Sequence, residues 1–157
     1  MEKYNIRKRL RLTNYDYSRS GMYFVTICIK DRLPLLWLDN DPTKLSATGI
    51  IVNTAISQIP CIYPSVTVEK YCIMPDHIHL IIQIQKDDNG RHVAAPTLST
   101  IIGQMKRWVS MQCGSSIWQK SFIDRIIRNE NEYLSIWQYI DNNPIKLDTA
   151  DENIYPK

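Results

Sequence analysis

Residues 71–85, YCIMPDHIHLIIQIQ, limit what this chain can fold into more than any other stretch. Two apolar, Ile-rich segments flank Pro75-Asp76, a dipeptide of turn character. The spacing predicts a β-hairpin, 66–74 pairing with 77–85. On the return strand His77 and His79 stand two apart, so they emerge on one face. Two imidazoles on one side of a mostly apolar strand bring nitrogens that need partners when buried. A shared divalent cation is one such partner, because neutral imidazole is the commonest protein metal ligand. Plain core or surface histidines are the other reading.

The rest of the chain arranges itself around that hairpin. A strand is expected over 22–30 (MYFVTICIK), β-branched and aromatic after Gly21. A helix follows over 48–59, with Ser46 as N-cap and Pro60 closing it. The polar stretch 86–95 reads as a loop holding a solvated His92. A second helix covers 98–112, entered through Thr97 or Ser99 and stopped by Cys113-Gly114. A fourth strand is expected within 117–127, and a last helix over 130–142, broken by Pro144. The order β-α-β-β-α-β plus a terminal helix is the α+β, ferredoxin-like split βαβ plan. Its sheet is four-stranded and antiparallel, with helices on one face and the other face open or used for binding.

Size and composition fit one globular domain over 1–157: 157 residues, 44% of them hydrophobic. No apolar stretch reaches bilayer-spanning length and no charged-then-apolar leader opens the chain, so no membrane partner is expected. Cys28, Cys61, Cys72 and Cys113 are scattered, which fits a reducing cytoplasm, with a single bridge left open. Net charge is only +3, but it is unevenly spread. Residues 1–32 hold eight Lys/Arg against three Asp/Glu. Arg7, Lys8, Arg9 and Arg11 cluster in a basic N-terminal segment, 1–20. A second group comprises Lys106, Arg107, Lys120, Arg125 and Arg128. Such clusters attract phosphate backbones, or else form a solvated face.

The terminal helix, in NEYLSIWQYIDNNPIK, carries the sharpest chemistry. At about 100° per residue, Tyr133, Leu134, Trp137 and Ile140 form one apolar stripe with Ile136 on its flank. Tyr139 and Asn143 stand four apart and share a side near that flank, whereas Tyr133 points elsewhere. Tyr139 alone can present a hydroxyl beside Asn143. Asn143 precedes Pro144, a position that disfavours regular helix and suits C-terminal capping. Tyr139 is also open to an ordinary packing role. Trp108, Trp118 and Trp137 read as core or interface residues, and Asp76 as a turn former.

PDHIHL, WQKSFIDRIIR and YIDNNP, in that order and spacing, resemble the single-tyrosine HUH transposases, in the REP-associated tyrosine transposase branch. The likeness covers most of the chain. Relatives often carry a histidine in the segment matching SFIDR, and this chain has none there. The resemblance implies that Tyr139 is a nucleophile and that His77 and His79 bind a divalent metal, Mg2+ or Mn2+, with Asn143 as third ligand. It implies cleavage and rejoining of single-stranded DNA near a hairpin through a 5′-phosphotyrosine. A metal or a basic side chain would favour the phenolate, with Lys106 and Arg107 as candidates. The resemblance leaves the oligomeric state open between monomer and homodimer. A non-cleaving hairpin-binding protein on the same fold is the alternative, and a hydrolase using water a distant third.

Overall fold

The computed structural model describes residues 21–85 and 96–143. Four strands, β1 (Gly21–Cys28), β2 (Val66–Ile73), β3 (His77–Ile84) and β4 (Ile123–Ile127), form one sheet in the order β2-β3-β1-β4. Every neighbouring pair is antiparallel. With α1 (Ala47–Ile62) between β1 and β2 and α2 (Leu98–Cys113) between β3 and β4, this is the expected ferredoxin-like plan.

The caps are largely where the sequence puts them. Ser46 accepts from Gly49 N–H at 3.0 Å and starts α1; Thr97 accepts from Thr100 N–H at 3.1 Å and starts α2. Gly114, at φ 77°, ends α2 in the left-handed conformation that a side chain would resist. Asn129 accepts from Glu132 N–H at 2.9 Å and starts α3 (Glu130–Asn142). Pro60 does not close α1. It sits in the last turn, where its ring forfeits one intrahelical bond, and Tyr63 N–H still reaches the Ile59 carbonyl at 2.9 Å. The fourth strand lies within its expected window but fills only the last five residues, Ile123–Ile127. Trp118 bridges Ile29, but Ser121 at φ 65° breaks the extended chain before Ile123.

The sheet divides two cores of unequal size. Side chains alternate along each strand, so Val25, Ile27, Ile78, Leu80 and Ile82 face α1 and α2 and join the large cluster. Phe24 and Ile81 face the other way and meet Ile127, Ile136 and Ile140. The face left open in the sequence reading is therefore covered in part by α3. Of the expected apolar stripe, Ile140 is buried and Tyr133 and Trp137 pack against the same cluster, Ile136 joins it from the flank, and Leu134 is 55% exposed. The four cysteines are unbridged. Among the described residues no helix is long and apolar enough to cross a membrane.

Candidate active site

The α3 face of the sheet gathers the residues that the sequence singles out. Pairing sets Thr26 and Cys72 on either side of His79, and Cys28 opposite His77. Across β2 this alignment depends on a register shift between Val68 and Lys70. The shift reverses the alternation, so Val68 joins the α1/α2 side while Lys70 and Cys72 turn to the α3 side.

His77 and His79 are 5% and 0% exposed, with ring centroids 4.7 Å apart and planes at 74°. His79 stacks on Phe24 at 5.2 Å and meets the Thr26 hydroxyl through Nδ1 at 2.9 Å. Its buried Nε2 has no hydrogen-bond partner among the described residues. Burial, assisted by the charges of His77 and Arg32, holds the His79 imidazole well below the usual histidine range. It is therefore neutral near pH 7, with a lone pair to offer. His77 meets Asp76 Oδ1 through Nδ1 at 2.7 Å, and Arg32 Nε donates to Asp76 Oδ2 at 2.9 Å. Burial pushes the Asp76 carboxyl up, but the His77 hydrogen bond and charge, with Arg32, outweigh it and leave it below the usual range.

Helix α3 brings Tyr139 to this pair. Its ring centroid lies 5.5 Å from that of His79 and 6.2 Å from that of Phe24, edge-on to the latter. Tyr133 turns instead to Trp137, 5.6 Å away. The helix is tied to the sheet near both of its ends. Arg125 of β4 lies 3.7 Å from Glu132, while Lys70 of β2 pairs with Asp141 and sits 4.3 Å above the Trp137 ring. Such exposed pairs orient more than they stabilise.

Asn143 is 2% exposed and lies against the Cys72 thiol. Contrary to the pre-proline expectation, it keeps helical angles (φ −61°, ψ −44°), so it continues the side of α3 that carries Tyr139. Burial pushes the Cys72 thiol up to about 12, against the smaller opposing pull of the His79 backbone and Asn143 amide. Cys72 is thus a neutral packing group. Native-state alkylation should label exposed Cys61 first and Cys72 about a hundredfold or more slowly. Labelling of both at one rate, followed by peptide mapping, would contradict that assignment.

The basic residues separate. Lys106 and Arg107 lie on α2, whose buried side packs on the opposite face of the sheet from Tyr139. Lys106 Nζ donates to the Gln119 and Ser121 carbonyls at 2.8 and 2.7 Å, which ties α2 to the approach to β4. Both are therefore removed as partners of the phenol. Arg125, paired in register with Phe24, is on the Tyr139 face. Arg128 and Lys120 are exposed near the two ends of β4. Arg7, Lys8, Arg9, Arg11 and His92 lie outside the described residues. Of the site's supporting groups, Thr26, Arg32 and Phe24 escaped the sequence reading. Alternation along β1 marks Phe24 and Thr26 as sharing a face, but only the register joins them to His79.

The donor set can be weighed against a metal. Among the described residues no three His, Cys, Asp or Glu side chains converge. Two close imidazoles with both Nδ1 atoms engaged, an unpartnered buried Nε2 and a nearby amide fit a divalent cation that keeps positions open for water or phosphate.

No family model matches the chain. It is 31% identical over 167 residues to an uncharacterised protein of Haemophilus influenzae, covering 91% of this chain and 93% of that relative. It is 31% identical over 150 residues to a putative REP-associated tyrosine transposase of the same organism, covering 86% and 77%. It is 24% identical over 131 residues to the REP-associated tyrosine transposase of Escherichia coli K12, covering 83% and 70%. Among solved structures, a REP-associated tyrosine transposase bound to a REP hairpin superposes with a TM-score of 0.65 at 22% identity, over 87% of this chain and 73% of the other, and so shares the fold. With the tyrosine helix laid over two histidines, and a relative of that name matched along most of its length, the chain belongs to the REP-associated tyrosine transposase family.

Proposed function

We propose that this protein cleaves and rejoins single-stranded DNA beside hairpins, acting in the cytoplasm with Tyr139 as nucleophile and with Mg2+ or Mn2+ held by His77, His79 and Asn143. The observation that carries the reading is the Tyr139 ring 5.5 Å from His79, whose buried Nε2 has no hydrogen-bond partner among the described residues. A hairpin substrate is supported by the fold neighbour, which is bound to a REP hairpin.

The chemistry follows from the residues. The Tyr139 oxygen forms a bond to phosphorus as the bond from phosphorus to the 3′ oxygen breaks. The phenolic proton passes to solvent, and the departing 3′ oxygen takes up a proton. The product is a 5′-phosphotyrosine and a free 3′-hydroxyl. The reverse attack by a 3′-hydroxyl rejoins strands without ATP, because the covalent link conserves the phosphodiester. A divalent cation held by His77, His79 and Asn143 would supply positive charge as negative charge develops on the phosphoryl group. His77 and His79 would hold such an ion through imidazole nitrogen lone pairs. Tyr139 is half-buried, so its ring is fixed by Phe24 and His79 while substrate still has access. Arg125 and Arg128, with the basic segment Arg7–Arg11, suit the phosphates of the strand and stem.

Incubating the full chain with hairpin oligonucleotides bearing single-stranded flanks and Mn2+ tests this. A denaturation-resistant protein–DNA adduct should form, vanish with EDTA and return when excess Mn2+ is added. Binding without any adduct would favour the non-cleaving alternative. An adduct indifferent to EDTA would remove the metal from the reading.

A further inference from the structure

We infer that Arg32 and Asp76 are positioning residues that fix the tautomer and heading of His77, so that Nε2 is its metal-facing nitrogen. This rests on the metal site proposed above and extends it to two groups outside the proposed ligand set.

Two consecutive bonds make the relay. His77 Nδ1 lies 2.7 Å from Asp76 Oδ1, and Arg32 Nε lies 2.9 Å from Asp76 Oδ2. An ionised carboxylate only accepts, so Nδ1 of a neutral His77 carries the proton and the Nε2 lone pair stays available. With its other oxygen held by the guanidinium, Asp76 has little freedom to swing away. Orientation of a ligand imidazole through its second nitrogen is the general way a site fixes tautomer and basicity.

The backbone is shaped to deliver Arg32. Asp31 and Arg32 both adopt left-handed angles, φ 57° and 54°, in the tight turn after β1. Neither is glycine, and such a conformation costs of order 1–3 kcal/mol per residue, persisting where its surroundings enforce it. The surroundings here are the hairpin turn itself: Ile29 N–H donates to the Asp76 carbonyl at 2.8 Å, and Leu36 N–H to the Pro75 carbonyl at 3.0 Å. The left-handed pair turns Arg32 back across Asp76, where Nη1 also reaches Cys28 Sγ at 3.1 Å. His79 is treated alike, its Nδ1 engaged by Thr26 and its Nε2 left over. Both rings are thus engaged at Nδ1, but only at His77 is the partner an acceptor-only carboxylate that fixes the tautomer.

Long-range proton–nitrogen NMR of the metal-free full chain, at a pH above the imidazole range, reads the tautomer directly. His77 should be protonated at Nδ1 in the wild type and should shift towards the Nε2-protonated form in Asp76→Ala. Mn2+ affinity should fall about 10–100-fold in Asp76→Ala. Asp76→Asn, whose amide oxygen still accepts the Nδ1 proton, should keep the tautomer and most of the affinity. An Nε2-protonated His77 in the wild type, or Mn2+ affinity unmoved by Asp76→Ala, would overturn the relay. If the wild type bound no Mn2+, the metal reading would fall, and the tautomer would still decide the relay.

Discussion

Tyr139→Phe should abolish the covalent adduct and lower strand cleavage by about a thousandfold or more, with hairpin binding retained. The substitution removes one oxygen and keeps the ring that meets Phe24 edge-on and lies beside His79. Because the side chain is half-buried, the change in unfolding free energy should stay within about 1 kcal/mol. Activity and stability are thus expected to separate, which a collapse of the site would not allow. Tyr133→Phe is the matched control. Tyr133 faces Trp137 rather than the histidines, and its change should leave adduct formation near wild type. Denaturing gels of a labelled hairpin, with thermal melts of each variant, make the comparison. An adduct that survives Tyr139→Phe, or that disappears in Tyr133→Phe, would move the nucleophile elsewhere.

Much of this arrangement is local enough to be read from the chain. Ser46, Thr97 and Asn129 stand where helices begin, and Gly114 where one ends, because each satisfies backbone groups within its own turn. The separation of Tyr139 from Tyr133 also follows from helical spacing alone. What stayed hidden depends on contacts distant in sequence. Nothing in NEYLSIWQYIDN says which side of the sheet receives the helix, and Leu134 is as apolar as Ile136, so composition does not tell the exposed residue from the buried one. The shift between Val68 and Lys70 moves Cys72 beside His79 with no glycine to mark it. Arg32 and Asp76 are 44 residues apart, and left-handed angles at Asp and Arg leave no compositional trace. The engagement of the Lys106 ammonium by the Gln119 and Ser121 carbonyls likewise depends on how α2 packs beside the approach to β4.

Ile140→Ala should loosen α3 without unfolding the rest of the molecule. The side chain is 1% exposed and belongs to a cluster of five buried residues, Phe24, Ile81, Ile127, Ile136 and Ile140. Removing three buried carbons from so small a core costs about 2–5 kcal/mol, a large share of what holds the helix down. The ion pairs Lys70–Asp141 and Arg125–Glu132 are worth roughly 0–1 kcal/mol each at partly exposed positions, too little to compensate. The large cluster on the other face loses no atom, so α1, α2 and the sheet face turned towards them keep their packing. Native-state hydrogen exchange should therefore show α3 amides losing protection while those of α1 and α2 change little. Cleavage should fall with the docked population, because Tyr139 reaches the histidines only from a seated helix. Val109→Ala, in the large cluster, should instead lower protection throughout. Equal loss of protection in every element for Ile140→Ala would mean that the sheet carries one cooperative core, and that the helix bearing Tyr139 cannot open by itself.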